Sequence, residues 1–132
     1  QNSFDRFLIA TDTPTGSGIM PLGMIYTISQ IASLTSHKPE IIIAAATGNV
    51  SNIYNLNTGL IKKGFRADLL IIDAPLGGTK KSALDALKNG DPCAIGSVIS
   101  SGVPRFVGRS ANTPPAIRNV KVEKSEIREM FH

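Results

Sequence analysis

The side chains that could do chemistry in this sequence are few. Asp12 closes the apolar run Arg6-Phe7-Leu8-Ile9-Ala10-Thr11, and Thr13-Pro14-Thr15-Gly16-Ser17-Gly18 follows it, dense in turn formers. A strand, then an aspartate, then a glycine-rich loop and a helix sets a carboxylate at the C-terminal end of a strand. That is where parallel α/β enzymes gather their chemistry. Such a carboxylate can ligate a metal and take a proton from metal-bound water. Taken alone, the segment is better accounted for by an Asx-turn carboxylate that caps its own loop. Asp68 and Asp73 flank Leu69-Leu70-Ile71-Ile72 and invite reading as a catalytic pair. The loop at residues 15–18 matches neither G-x-x-x-x-G-K-[ST] nor G-x-G-x-x-G, which argues against a phosphate site.

His37 and His132 lie far apart, and neither belongs to an H-x-H or H-E-x-x-H pattern. The chain alone therefore cannot assemble a His-rich zinc site. His37 is expected at the C-terminal end of a helix, facing the carbonyl dipoles, and His132 is expected to be a disordered terminus. Cys93 is the single cysteine, which precludes an internal disulfide and fits a reducing compartment. It precedes an apolar run, and a buried structural thiol is the expectation.

The elements that must position these groups come from a chain of 132 residues. That is enough for one core and too short for a complete (β/α)8 enzyme of about 250 residues. The hydrophobic fraction of 42% and charged fraction of 18% argue against disorder. A net charge of +4 raises the question of nucleic acid, but the basic residues are scattered and no aromatic ladder interleaves them. No stretch approaches the length of a membrane span.

The spacing predicts a strand at residues 7–11 and a helix from Pro21, near N1, to about Ser36. A second helix at residues 41–47 opens on Pro39 and Glu40, Gly48-Asn49 punctuates it, and residues 50–56 form a third. Strands follow at residues 69–72 and 95–100, the latter paired through a tight turn with a strand around residues 105–107. Between them Ser82 caps a short helix that runs to Lys88 and stops at Asn89-Gly90. Residues 124–130 are expected to be helical.

One long pattern goes further. Ala45-Ala46-Thr47-Gly48-Asn49 leads through Leu56-Asn57-Thr58-Gly59-Leu60-Ile61-Lys62-Lys63-Gly64 to Ala67-Asp68-Leu69-Leu70-Ile71-Ile72-Asp73. It resembles the signature of the amidohydrolase superfamily: an alanine-rich helix with Thr and Asn, a G-x-I, a second glycine, and A-D-L entering an aliphatic strand. Asp12-Thr13-Pro14-Thr15-Gly16-Ser17-Gly18-Ile19-Met20-Pro21-Leu22-Gly23 and Arg109-Ser110-Ala111-Asn112-Thr113-Pro114-Pro115-Ala116 narrow the resemblance to the enamidases within it. The resemblance covers residues 8–118.

It implies an α/β fold in which this chain supplies the last strand and helices of a (β/α)8 metal-dependent hydrolase barrel, plus part of a small composite β-sandwich domain. Residues 1–58 would be the C-terminal end of the barrel, residues 59–118 part of the small domain, and residues 119–132 a tail. Asp12 falls on the aspartate that ends the eighth strand, contacts the metal and takes the proton of the attacking hydroxide. Thr13, Thr15 and Gly16 would face substrate. Asp68 and Asp73 fall in the small domain, where Asp68 is expected to fix a turn through backbone hydrogen bonds. The family's H-x-H, bridging lysine or glutamate and later histidines have no counterparts here.

As a whole enzyme the protein would hold one or two divalent ions, Zn or Zn with Fe, with none bound tightly by this piece. It would open a cyclic amide related to partly reduced oxonicotinate, in the cytoplasm, as a homo-oligomer, with the rest of its chain as partner and no nucleic acid or membrane. The readings carried against this are a non-catalytic scaffold or interaction module derived from the same fold, and an imidazolonepropionase-like or dihydroorotase-like ring opener.

Overall fold

The computed structural model describes residues 3–13, 18–109 and 111–123. After a 3-10 turn at Ser3–Arg6 come helices α1 (Gly23–Leu34), α2 (Pro39–Ala46) and α3 (Gly48–Tyr54), then strand β1 (Leu69–Asp73), helix α4 (Ala83–Lys88), and strands β2 (Ala94–Ser100) and β3 (Val103–Val107). The strands form one antiparallel sheet in the order β1-β2-β3. Expected elements outside the described residues are the helix at residues 124–130 and the terminal His132.

Helix α1 buries Gly23, Ile28, Ser29 and Ala32, one stripe at helical spacing. It starts at Gly23 rather than Pro21, which lies in the preceding turn with Leu22 as N-cap. Its C-terminal end is held by Lys88 of α4, whose Nζ donates to the carbonyls of Ala32 (2.9 Å), Thr35 (2.6 Å) and His37 (2.9 Å). A cation at a helix C-terminus is favourable. The cation proves to be Lys88, and the imidazole of His37 instead packs on the Phe4 ring, centroids 4.2 Å apart.

Helix α2 opens on Pro39 with Glu40 in its first turn, as expected. The break after it falls at Thr47, not at Gly48-Asn49, because Thr47 leaves helical geometry (φ −133°, ψ −86°). Gly48 and Asn49 then become the first residues of α3, which ends at Asn55 in the left-handed conformation. In α4 the Ser82 hydroxyl accepts from the Asp85 N–H at 3.1 Å, the expected cap.

The strand expected at residues 7–11 does not form: this segment belongs to no ladder. Strand identity rests on inter-strand pairing, and Ile9 N instead donates to a helix, to Ala45 O at 3.1 Å. Ile9 itself is buried and joins Ile28, Ala32, Ile42, Ala45, Leu87 and Cys93 in the core. Leu60 and Ile61 likewise lie outside the sheet, which begins at Leu69. Between the helices and β1 lies an apolar cavity of about 470 Å³ lined by Ile28, Ile43, Leu60, Leu69, Ile72 and Cys93, among others. Among the described residues no helix is long and apolar enough to cross a membrane.

Candidate functional site

Asp12 lies at the exposed end of the segment that leaves the core at Ile9. Its backbone φ is 52°, the left-handed region that aspartate and asparagine enter more readily than other side chains. Two anchors precede it. Ile9 is tied to Ala45 at the end of α2. The carboxamide Nδ2 of Asn49, in the first turn of α3, donates to the carbonyls of Phe4 (2.9 Å) and Phe7 (3.1 Å).

The residue before Asp12 packs on the start of α1. A side chain at Gly23 would put its Cβ 3.4 Å from Thr11 Cγ2. Thr13 is exposed in a turn beside Asp12, while Thr15 and Gly16 lie outside the described residues. Beyond the loop, Ile19, Met20, Leu22, Gly23 and Tyr26 line a surface cavity of about 330 Å³ together with Asn112. The two stretches that narrow the family resemblance, far apart in sequence, therefore meet beside the start of α1.

The other carboxylates are committed to structure. Asp68 Oδ1 accepts from the Ser101 N–H at 2.8 Å and its Oδ2 from Arg66 Nε at 2.5 Å and Thr58 Oγ1 at 3.3 Å. The Ser101 amide, the Arg66 side chain and the Thr58 hydroxyl hold its carboxyl below the usual range. This is the expected turn-fixing role, since Ser101-Gly102 is the tip of the β2–β3 hairpin. Asp73, 7% exposed, accepts from Ala74 N and is bound at two points by Arg118. The Arg118 guanidinium, with the Ala74 and Arg118 amides, holds its carboxyl well below the usual range against the opposing effect of burial. Both carboxylates are engaged by these bonds. Cys93 is 3% exposed, and burial pushes its thiol up. A reactive thiolate needs the opposite surroundings.

A carboxylate oxygen is a donor type suited to divalent cations, and the exposed carboxylate of Asp12 fits as one ligand. A site needs more. Among the described residues no group of three or more His, Cys, Asp or Glu could hold a metal ion. Asn49 and Asn112 are the residues of this region whose part the sequence reading left unassigned. Both stand within the quoted motifs, but Asn49 bonds Phe4 and Phe7 far back in the chain, and Asn112 lines the cavity at the start of α1.

The family model described as the amidohydrolase family matches residues 1–105. The chain belongs to the amidohydrolase family. Enamidase from Eubacterium barkeri is 42% identical over 117 residues, 89% of this chain and 30% of that protein. A crystal structure of enamidase, described as a new member of the amidohydrolase superfamily, superposes with a TM-score of 0.85 at 41% identity, covering 91% of this chain and 31% of that one. This chain thus spans less than a third of the length of either amidohydrolase it is compared with. Its α/β arrangement of helices and three-stranded sheet is the arrangement of the matching part of enamidase.

Proposed function

We propose that the whole protein hydrolyses a C–N bond of a cyclic amide, and that Asp12 is its catalytic carboxylate. The observation that carries this is the 42% identity to enamidase over 89% of this chain, in a chain whose Asp68 and Asp73 are tied up in a turn and an ion pair. On this reading residues 1–58 complete a (β/α)8 barrel, residues 59–118 form part of a small β-rich domain, and residues 119–132 are a tail. The segment at residues 7–11 becomes the last barrel strand once its neighbours are present.

Asp12 would be one ligand of a divalent metal, Zn or Zn with Fe, whose remaining ligands come from outside this chain. The ion, when bound, supplies Lewis-acid polarisation and lowers the pKa of water. The Asp12 carboxylate accepts a proton from the attacking water as its oxygen bonds to the ring carbonyl carbon. It returns that proton to the ring nitrogen as the C–N bond breaks, leaving an amine or enamine and a carboxylic acid that releases its proton to solvent. Thr13, Thr15 and Gly16 form the loop beside it and are assigned to substrate contact. The expected substrate is a six-membered lactam acid, as a relationship to enamidase suggests.

The test is Asp12→Asn in the whole protein, assayed on such a lactam. Turnover should fall by about 10²–10⁴-fold with the fold retained. Retention of a tenth or more of kcat would remove Asp12 from the mechanism.

A further inference from the structure

We propose that Asn49 is a positioning residue for Asp12: its buried carboxamide sets where the segment carrying the carboxylate leaves the protein core. The proposal rests on the catalytic reading of Asp12 given above.

Side-chain capping of a helix start belongs to the residue that flanks it, here Thr47. Asn49 is the second residue of α3, inside the helix rather than at its cap. Its carboxamide reaches instead to the carbonyls of Phe4 and Phe7, 45 and 42 residues earlier. A carboxamide nitrogen has two N–H donors, and two acceptors are present for them.

The acceptors matter because of what they belong to. Phe7 N–H already donates to Phe4 O at 3.1 Å, so those residues form one closed turn that Asn49 grips from both of its carbonyls. Two residues later Ile9 N–H donates to Ala45 O, at the end of α2. The α2–α3 corner therefore holds residues 4–9 at three points, and Asp12 follows three residues after the last. Three residues span at most about 10 Å, so the holds on Phe7 and Ile9 limit where the carboxylate of Asp12 can be placed. Misplacing a catalytic group by about 1 Å costs up to about 10²-fold in rate.

The residue type follows from the geometry. The site calls for two donors on a short stem, in a buried position where Asn49 is 9% exposed. Aspartate has the same shape with no donors, and it sets its oxygens against two carbonyl oxygens. Serine keeps one donor.

The experiment compares Asn49→Asp, Asn49→Ser, Ser51→Ala and Asp12→Asn in the whole enzyme, measuring kcat, KM and the thermal midpoint with a six-membered lactam acid as substrate. Ser51 is buried in the same helix, where its hydroxyl bonds Leu56 O at 3.0 Å, so its loss reports destabilisation of α3 without touching residues 4–9. The expected result is that Asn49→Asp lowers kcat by about 10–100-fold with KM within about threefold. Asn49→Ser should lose less, and Ser51→Ala should lower the thermal midpoint with kcat within about twofold. The proposal is overturned if kcat stays within about twofold in Asn49→Asp, or if Ser51→Ala loses as much kcat for the same drop in midpoint. Should Asn49→Asp fail to fold, the serine variant decides by the same criterion. Loss of turnover in Asp12→Asn together with normal kcat at Asn49 defeats this inference alone. Normal turnover in Asp12→Asn defeats the catalytic reading and takes this one with it.

Discussion

Arg118 grips the carboxylate of Asp73 at two points, Nε to Oδ2 at 3.0 Å and Nη2 to Oδ1 at 2.5 Å, and its own backbone N–H adds a third bond to Oδ2 at 3.0 Å. The pair fastens the segment after residue 111 to the end of β1, beside the bridge of Pro75 with Ala116. The carboxylate is nearly buried and the arginine side chain 72% exposed, so the backbone amides and the desolvated end of the pair carry most of its worth.

Asp73→Asn should therefore destabilise the whole protein by about 1.5–3 kcal/mol. The pH dependence has a definite sign. The folded-state carboxyl lies below its ordinary value of 3.8, so the stabilisation is complete above that value. It is lost as pH falls from there toward the folded-state value, because the unfolded chain takes up the proton first. The difference in thermal midpoint between wild type and Asp73→Asn should hold steady from about pH 7 to 5 and narrow in acid. A difference that widens as pH falls below 3.8 would contradict the pairing.

Lys88→Met keeps the aliphatic stem and removes three hydrogen bonds to the end of α1. Urea unfolding should show a loss of about 1 kcal/mol, smaller in high salt. An unchanged midpoint would mean that water replaces the ammonium at no cost.

Gly59→Ala should be more damaging than Lys88→Met. Its φ is +81°, and an added Cβ would lie 2.8 Å from the Thr47 carbonyl oxygen. Backbone strain and the clash together predict a loss above about 1–2 kcal/mol, seen as lower soluble yield and midpoint. Gly64→Ala is the comparison: it also has positive φ (+86°), but nothing lies within 4 Å of the added carbon. If the two variants behave alike, close approach to Thr47 is not what selects glycine at position 59.

Burial of Cys93 predicts slow labelling by an exposed-thiol reagent at neutral pH, with a rate that follows unfolding as denaturant is added. Fast labelling of the native protein would place the thiol at the surface.

The 132-residue chain alone should show no turnover of any cyclic amide above a metal-only blank, because a catalytic metal needs about three protein ligands. Turnover by this chain would sink the assignment of the missing ligands to other parts of the protein.

How much of this was legible in the residues depended on the range of the forces involved. Helix α4 and the β2–β3 hairpin follow from local signals: Ser82 at one end, Asn89-Gly90 at the other, and Ser101-Gly102 at positive φ between two apolar runs. The helix break at Thr47 is not local. Gly48 looks like punctuation, but it lies within α3, where a side chain would meet Leu60 Cδ2 at 2.8 Å. The run at residues 7–11 shows the same limit from the other side. Its apolar composition announces burial, which Ile9 fulfils, but pairing requires neighbours, and the described residues supply none. Asp12 stands out from its motif as the candidate for the proposed role. The reach of Asn49 to Phe4 and Phe7 could not, since more than forty residues separate donor from acceptors.

The left-handed backbone at Asp12 also bears on how inactive forms of the protein would arise and be noticed. Asparagine and glycine are the residues that accept such a φ at least cost, and each is one base change away from an aspartate codon. Neither side chain can ferry a proton, yet both suit the backbone at this position. Screens that score expression, abundance or thermal shift would record such alleles as neutral. If Asp12 has the catalytic role proposed for it, only a direct assay of ring opening would reveal them as inactive.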